Sequence, residues 1–445
     1  MSLALVSRKA ALLAPWNKNE LWRRARAVPS LDLRFADNKS LVDATTGQNL
    51  VTFTRASSGT YVDSTGTIKT ATTNEARFDH NPTTGESLGL LVEEQRTNLL
   101  VRSEEFDNAS WGKTDSTISA NAATALTGEN TADKIIGNAV TGYPRISQTI
   151  SVVSGNKYQL SVFAKQQEWG YLSLQAGGTL WQSQGTSSGV RFNLTTGTVS
   201  AAYNGQSTAN ASITNYGNGW YRCSVVWDCN ATTASGVISI LIGNLDSTSQ
   251  PTGNGTSGLL LWGSQLEAGA FPTSYIPTTT AAATRSADVA SISGSNFSSW
   301  YRQDEGTVFA ETQLARQNTL VGAAICGIET GVTNAETIYM HYRGSSVTAF
   351  SVFDNSVLQA DFSPYGSVVP ANTLVRQAGA IKLNDMVGIG GGFGQTTDTV
   401  CTVPTPDRML IGFSSAATNY LSGTIRRLTY WPQRLSNTSL QQITQ

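Results

Sequence analysis

The pattern of apolar and polar positions is clearest between residues 101 and 278. Apolar residues stand at every second position in four stretches, which are YQLSVFAK (158–165), YLSLQAG (171–177), WYRCSVVWD (220–228) and GVISILIG (236–243). Gly, Asn, Ser and Thr fill the chain between them. This alternation predicts antiparallel strands with one buried face, so residues 101–278 are expected to form an antiparallel β-sandwich.

The same alternation returns between residues 288 and 445. Six strand candidates precede a seventh, RRLTYW, and a helical turn at Asn437–Thr444, capped by Asn437 or Ser436, follows it. The six are GTVFAETQLA, TLVGAAICGI, ETIYMHYR, VTAFSVF, KLNDMVGIG and RMLIGF. Residues 31–100 consist of shorter strand candidates, and a region so small and polar is expected to pack on the domain that follows it.

Residues 259–287 join the two predicted sandwiches. LLLWGSQLE is a strand, after which Pro272 and Pro277 favour extended chain. Phe271 and Tyr275 are expected to be buried along the first sandwich, because two aromatic rings are poorly placed in water. Flexibility is expected only in the Thr/Ala run at 278–284.

The N-terminal 30 residues differ from the rest, because residues 4–27 have a helical pattern interrupted by Pro15. Their apolar side chains include Trp16, Leu21 and Trp22, and Arg23 and Arg24 follow directly. A frayed terminus is one interpretation. The alternative is an attachment element that folds against a partner, and its deletion is then expected to leave a folded protein.

Together these patterns predict a mainly β chain, with two antiparallel β-sandwich (jelly-roll) domains in tandem after a short N-terminal helical segment. The predicted boundaries are 1–30 for the helical segment, 31–100 for the small β region, 101–278 for the jelly roll, 279–287 for the linker and 288–445 for the second sandwich.

Composition excludes several classes of function. Charged residues make up only 14% of the chain and the net charge is −1, so no general attraction to nucleic acid or membranes follows. Arg8 and Lys9 interrupt the apolar start, which argues against a signal peptide. The four cysteines, Cys223, Cys229, Cys326 and Cys401, fit no zinc spacing and are expected to be free core residues.

The usual catalytic patterns are missing from the sequence. The two histidines, His80 and His341, have no GxSxG serine to pair with, and GIGGGFG (388–394) lacks the Lys-Ser/Thr ending of a phosphate loop. No cofactor is indicated. The best remaining indication of a ligand is aromatic: Trp169, Tyr171 and Trp181 lie near turns and could stack on a sugar, or form a half-buried rim or subunit contact.

Three sets of motifs resemble those of known proteins. They are WGSQLEAGAFPTSYIPT with TRSAD (284–288), the upstream set FTRASSGTYV, EARF, GLLVEEQRTNLL and SEEFDNASW, and the ending GTIRRLTYWPQRLSNTSLQQIT. The chain resembles bacteriophage virion proteins of the head-spike and tail-fibre type. That resemblance implies a carbohydrate-binding-module-like jelly roll and a C-terminal concanavalin A-like (laminin-G-like) lectin domain.

The resemblance also implies a role and partners. It implies a virion appendage synthesised in the host bacterial cytoplasm, a homo-oligomer with a trimer favoured, contact with other virion proteins through the N-terminal segment, and host-surface glycan as a ligand. Glu104 or Glu105 and Glu267 match by position a structural calcium site of such jelly rolls, or are simply solvated acids. Glucanases of the concanavalin A-like fold carry clustered acids, whereas the corresponding strand here offers only Glu311, so no enzyme is expected. The alternatives are a capsid decoration or tail connector protein without a ligand, and a polysaccharide-degrading tailspike.

Overall fold

The computed structural model describes residues 20–177, 187–244, 250–313, 322–343, 347–364, 369–370, 373–391, 393–415 and 420–445. Within these ranges no helix is both long and apolar enough to cross a bilayer. Strands dominate, and neighbouring strands run antiparallel. The predicted class, a mainly β chain built from antiparallel sandwiches, is confirmed.

The first part of the described chain contributes two short helices and seven strands. In chain order these are α1 (Glu20–Ala25), β1 (Leu31–Leu33), α2 (Phe35–Asn38), β2 (Thr52–Thr54), β3 (Gly59–Val62), β4 (Ile68–Ala71), β5 (Phe78–His80), β6 (Ser87–Val92) and β7 (Arg96–Asn98).

The middle part forms two six-stranded sheets, in the orders β16-β17-β12-β19-β10-β9 and β15-β14-β13-β18-β11-β8. The strands are β8 (Gly112–Thr114), β9 (Ser116–Ala123), β10 (Ala132–Gly137), β11 (Arg145–Val152), β12 (Lys157–Gln166), β13 (Tyr171–Gly177), β14 (Ser188–Asn193), β15 (Thr198–Tyr203), β16 (Ala211–Asn215), β17 (Trp220–Asp228), β18 (Thr233–Gly243) and β19 (Gly258–Ala268). We call this unit the inserted sandwich. Its four alternating stretches became β12, β13, β17 and β18, and their apolar residues form its core.

The last part contributes twelve strands and two helices. These are β20 (Ala283–Arg285), β21 (Val289–Ser293), α3 (Gly294–Ser298), β22 (Glu305–Gln313), β23 (Ala323–Glu329), β24 (Thr337–Arg343), β25 (Val347–Asp354), β26 (Val357–Phe362), β27 (Leu374–Lys382), β28 (Met386–Gly390), β29 (Phe393–Asp398), β30 (Arg408–Ile411), β31 (Gly423–Trp431) and α4 (Asn437–Thr444). Ser436 caps α4 by accepting a hydrogen bond from the Ser439 amide at 3.2 Å.

The second sandwich is assembled from both ends of the described chain. Its eight-stranded sheet has the order β29-β28-β27-β22-β31-β6-β5, with β1 also paired to β31, and its seven-stranded sheet has the order β2-β21-β30-β23-β24-β25-β26. We call this unit the composite sandwich. The chain leaves the composite sandwich after β7, forms the inserted sandwich, and returns at β20. Strands β7 and β20 pair with each other.

The predicted separation of residues 31–100 from residues 288–445 is therefore wrong. Of residues 31–100, the hairpin β3–β4, β7 and the two leucines that follow it pack on the inserted sandwich, whereas β1, β2, β5 and β6 join the composite sandwich. The physical reason is burial: Leu31 and Leu33 are fully enclosed beside β31, and burying each leucine contributes about 1.5–3 kcal/mol. A periodic pattern tells which face of a strand is buried but not which strand lies beside it.

The connection between the sandwiches is more ordered than predicted. Phe271 and Tyr275 are 5% and 3% exposed, which confirms the expectation that both rings are buried. Thr278 is buried as well, and its amide donates to Ser103 Oγ at 2.8 Å. Since β20 pairs with β7 and Arg285 is buried, residues 278–287 are not the free linker that their composition predicted.

The N-terminal segment is also part of the composite sandwich from residue 20 onward. Trp22 is buried, and its Nε1 donates to Asp32 Oδ2 at 2.9 Å. Leu21 packs on a cluster that includes Trp431 and Leu440. The prediction that residues 1–30 form an independent attachment element is thus wrong in part, because Leu21 and Trp22 contact their own chain. Trp16 lies outside the described residues.

Candidate functional site

The outer face of the sheet β16-β17-β12-β19-β10-β9 lies where the two sandwiches meet. Along β12, Leu160 and Val162 belong to the core of the inserted sandwich. Successive side chains of a strand point to opposite faces, so Gln159, Ser161 and Phe163 lie on the outer face. This face has an aromatic half and a polar half.

The aromatic half is covered by the protein itself. Phe163 and Trp262 contact Tyr275, with ring centroids 6.1 and 4.8 Å from the tyrosine ring. Val62 and Ile68 of the hairpin β3–β4 belong to the same buried cluster. The rings of Phe163 and Trp262 are therefore closed off from a ligand, whereas Tyr275 also borders the cleft described next.

The polar half borders a cleft of about 910 Å³ between the inserted and composite sandwiches. Ligand pockets in proteins usually measure about 300–1,000 Å³, so the space accommodates several sugar rings or a molecule of similar size. The inserted sandwich contributes Lys157, Gln159, residues 209–214, Tyr216, Arg222, Ser224 and Val226 to the lining. The composite sandwich contributes Asp79, Leu91, Glu93 and Thr424, the hairpin β3–β4 contributes Tyr61, and residues 270–275 line the space between the sandwiches.

Both cations that line the cleft are engaged by neighbouring groups. Arg222 is 7% exposed, its Nη1 donates to the Thr273 carbonyl at 2.7 Å, and its Nη2 donates to Ser161 Oγ at 3.0 Å. Lys157 forms an ion pair with Asp228. Arg222 and Lys157 therefore hold the walls of the cleft in place, and little of their positive charge is left for a ligand.

Asp79 projects toward the cleft from β5, at the edge of the composite sandwich. One of its oxygens accepts a hydrogen bond from the Val62 amide at 2.7 Å. Burial of this carboxyl, with the Glu93 carboxylate nearby, raises its pKa to about 6 against the opposing effects of the Val62 amide and Arg77. Burial also raises the pKa of the Tyr216 phenol.

Behind the cleft lies a buried group of charges that we call the joint network: Arg55, Arg77, Glu93, Arg285 and Asp288. Asp288 accepts from Arg55 Nη1 at 3.0 Å and also pairs with Arg77. Arg77 Nη1 lies 2.9 Å from Glu93 Oε2, and Arg285 Nη1 lies 3.4 Å from the same oxygen. Burial alone would raise the pKa of Glu93, but the attraction of Arg285 and Arg77 and two hydrogen bonds from Ser274 lower it to about 2.

Every member of the joint network comes from a motif that carries the family resemblance. Arg55 lies in FTRASSGTYV, Arg77 in EARF, Glu93 in GLLVEEQRTNLL, and Arg285 and Asp288 in TRSAD. That these five residues meet was not predicted from the sequence. The indication in the sequence was that charged residues stand inside otherwise apolar, strand-like stretches. The motifs build the joint between the sandwiches, and only Glu93 among these five residues also lines the cleft.

The predicted aromatic ligand site is not at the cleft. Trp169 is 5% exposed and its ring packs on Gly137 in the core of the inserted sandwich, so stacking on a sugar by this ring is corrected to a packing role. Tyr171 is half-buried on β13, in the other sheet, and its hydroxyl accepts from Asn193 Nδ2 at 3.3 Å. Trp181 lies outside the described residues.

The residues predicted for calcium do not fit a calcium site. Both oxygens of the buried Glu267 accept hydrogen bonds from Thr273, whereas Glu105 pairs with Arg102 at 2.8 Å. Glu104 accepts from the Tyr275 hydroxyl at 3.0 Å. Across the part of the chain that the structure describes, no group of three or more His, Cys, Asp or Glu side chains is arranged to hold a metal ion.

The remaining candidates for catalysis, His341 and Glu311, are held by contacts with neighbouring side chains. His341 stacks on Tyr339 with ring centroids 4.0 Å apart, and burial, with Arg343 nearby, lowers its pKa to about 3. Its Nε2 contacts Ser351 Oγ at 3.0 Å, and that hydroxyl donates to Asp361. The serine stands between the histidine and the acid, which is not the order of a catalytic triad. Glu311 pairs with Arg376 and Arg426.

Comparisons with known proteins add little to this geometry. No protein-family model and no curated protein matches the chain. Among solved structures, the NanB sialidase of Streptococcus pneumoniae is similar over 34% of this chain and 26% of its own, at 14% identity and a TM-score of 0.29. The CBM40 of a Ruminococcus gnavus IT-sialidase, bound to α2,3-sialyllactose, is similar over 32% of this chain and 83% of its own, at 12% identity and a TM-score of 0.27.

A third similar structure is domain 4 of AbnA, an extracellular arabinanase from Geobacillus stearothermophilus, in complex with arabinotriose. It is similar over 39% of this chain and 82% of its own, at 10% identity and a TM-score of 0.28. Because the identities and TM-scores of all three structures are low, these similarities do not indicate what this chain does.

Proposed function

We propose that this chain binds a glycan in the cleft between its two sandwiches, as an appendage of a bacteriophage particle. The proposal of glycan binding is based on the residues that line the cleft. Ser212 and Thr214 are exposed along β16, Asn210 precedes them, and Thr424 lies on the opposite side. Hydroxyl and amide side chains both donate and accept hydrogen bonds, which matches the hydroxyl groups of a sugar.

A glycan-binding assay with two tryptophan variants tests this part of the proposal. Thr214→Trp fills the cleft, whereas Thr149→Trp places the same ring on the exposed face of the other sheet of the inserted sandwich. On an array of neutral and acidic oligosaccharides, we expect the wild type and Thr149→Trp to bind alike and Thr214→Trp to bind at least about tenfold more weakly. Equal binding by all three proteins places the ligand elsewhere, and no binding by the wild type overturns the proposal.

Binding without hydrolysis is part of the proposal. Glycosidases usually use two carboxyl groups across the sugar. In this cleft Glu93 is already paired with Arg77 and hydrogen-bonded by Ser274, which supports a structural role for it. Release of reducing ends from a host polysaccharide incubated with the protein would instead support the tailspike enzyme.

The virion part of the proposal is supported by the motif resemblance, because five charged residues from four of the resembling motifs meet in the joint network. Attachment is assigned to the chain that precedes Glu20, which includes Trp16, together with Arg23, which is exposed on α1. Arg24 contributes to α1 by pairing with Glu20. Particles assembled with a chain that lacks residues 1–18 are expected to lose the appendage. Normal incorporation would contradict this attachment, and incorporation without glycan binding would favour a decoration or connector protein.

The proposal includes an oligomer, with a trimer favoured. Sedimentation equilibrium at micromolar concentration is expected to give about three times the mass of one 47.3 kDa chain. The mass of a single chain would contradict this part and leave the glycan site untouched.

A further inference from the structure

The charges that line the cleft are not balanced evenly. Among the described residues, four charged side chains face it: Asp79, Glu93, Lys157 and Arg222. Glu93 and Lys157 each have an ion-pair partner, and Arg222 donates to a backbone carbonyl and a serine hydroxyl. Among the lining residues that the structure describes, Asp79 is the carboxylate without a salt-bridge partner.

The position of Asp79 leaves it capacity for a ligand. A carboxylate has about four acceptor sites, and the backbone amides of Val62 and His80 occupy two of them. Asp79 lies on β5, at the end of the eight-stranded sheet, and it is only half-buried. The two remaining acceptor sites of the carboxylate are therefore suited to accept hydrogen bonds from groups that enter the cleft.

The chemistry of these groups separates two classes of glycan. Two neighbouring hydroxyls of a sugar both donate to one carboxylate, and charge makes such hydrogen bonds about twice as strong as neutral ones. A sialic or uronic acid would bring a second carboxylate into the same space. Recognition of that group requires an available Arg or Lys, and the two cations here are already engaged.

We infer that the cleft selects neutral glycans over acidic ones, and that Asp79 is the residue that accepts hydrogen bonds from a pair of sugar hydroxyls. This inference rests on the proposed glycan site and names its ligand class and its specificity-determining residue.

The inference predicts a dependence of binding on pH. Only the ionised form of Asp79 accepts from two hydroxyls, and burial raises its pKa to about 6. Affinity for a neutral glycan is therefore expected to rise as the pH increases from 5 to 7.5. The titratable and charged groups around Asp79 are Arg77, His80, Glu93, Tyr61 and Tyr216.

The test measures binding by calorimetry, using neutral hexose oligosaccharides and the same backbones carrying uronic or sialic acid. Asp79→Asn keeps the shape of the side chain and an acceptor for the Val62 amide, and Asp37→Asn, at an exposed position on α2, is its matched control. At pH 7.5 we expect neutral binding to weaken about tenfold in Asp79→Asn and to be unchanged in Asp37→Asn. The wild type should also lose affinity at pH 5, and Asp79→Asn should not.

Three results would overturn the inference. They are tighter binding of the acidic series, equal neutral binding by the wild type and Asp79→Asn, and a wild-type affinity that is the same at pH 5 and 7.5. Each of these leaves the proposed glycan site standing, provided that Thr214→Trp still weakens the binding that remains. Absence of binding to either series overturns the proposed function and the inference together. The wild-type pH series needs no variant, so it decides the question even if Asp79→Asn folds poorly.

Discussion

The joint network and the cleft share a wall, because Glu93 belongs to both, yet they use polar groups in opposite ways. In the joint network, Asp288 lies between Arg55 and Arg77, and each charge faces an opposite one. In the cleft, Ser212 and Thr214 are exposed and Asp79 has no salt-bridge partner among the described residues. Arg285 takes part in the joint network through its ion pair with Glu93, since none of its guanidinium nitrogens has a hydrogen bond to another described residue. Buried charges that pair with one another specify the fold, whereas polar groups at the surface of a cleft that have unused acceptor sites are available for a ligand.

The largest effect that separates the two regions is expected for Asp288→Ala. It leaves the guanidinium groups of Arg55 and Arg77 buried without their shared partner, and breaking a buried pair in this way costs about 3–5 kcal/mol. Asp407→Ala, which breaks the exposed pair with Arg408, should cost less than about 1 kcal/mol. Denaturant unfolding measures both, and similar costs would show that the joint network does not hold the sandwiches together.

The next largest loss of stability is expected in the N-terminal segment, which was predicted to contact a partner. Trp22→Ala removes a buried ring and its hydrogen bond to Asp32, and the free energy of unfolding should fall by about 3 kcal/mol. Val28→Ala, at an exposed position in the same segment, is the control and should change it by less than about 0.5 kcal/mol. A stable Trp22→Ala protein that fails to join the particle would restore the attachment role of Trp22.

A smaller effect, of opposite sign, is expected for Asp79→Asn. Burial raises the pKa of Asp79 to about 6 in the folded protein, above the ordinary value of 3.8 that applies to the unfolded chain. The folded state therefore holds this proton more tightly, and the wild type loses stability as the pH rises from about 4 through 6. The variant does not have this loss, so it should gain about 2–3 kcal/mol on the wild type between pH 4 and pH 7.5.

Unfolding of the wild type and Asp79→Asn at four pH values between 4 and 7.5 measures this gain. A difference between the two proteins that stays constant with pH would mean that Asp79 is not desolvated as the structure describes. Together with the binding data, a gain in stability and a loss of affinity in one variant would mark Asp79 as a residue kept for its ligand.

Much of the fold followed from the sequence, because alternation reports directly on which side chains are buried. Leu160 and Val162 were assigned to a core by that pattern, and they lie in one. The composite sandwich did not follow, since β1 pairs with β31 almost 400 residues further along the chain. Local patterns contain no information about such distant partners.

The candidate site was harder to predict than the fold. Trp169 stands between charged Glu168 and a glycine, which suggested exposure, but its ring packs over Gly137 because no side chain intervenes there. Ser212 and Thr214 are small polar residues of the kind found throughout the chain. Only the approach of a second sandwich turns them into the wall of a cleft.

The most direct test of the central claim is a crystal structure of the full chain soaked with a neutral hexose oligosaccharide. We expect electron density for the sugar in the cleft, with two hydroxyls within hydrogen-bond distance of the Asp79 carboxylate and others near Ser212 and Thr214. Density on the outer face of the sheet that carries Tyr171, with an empty cleft, would contradict it.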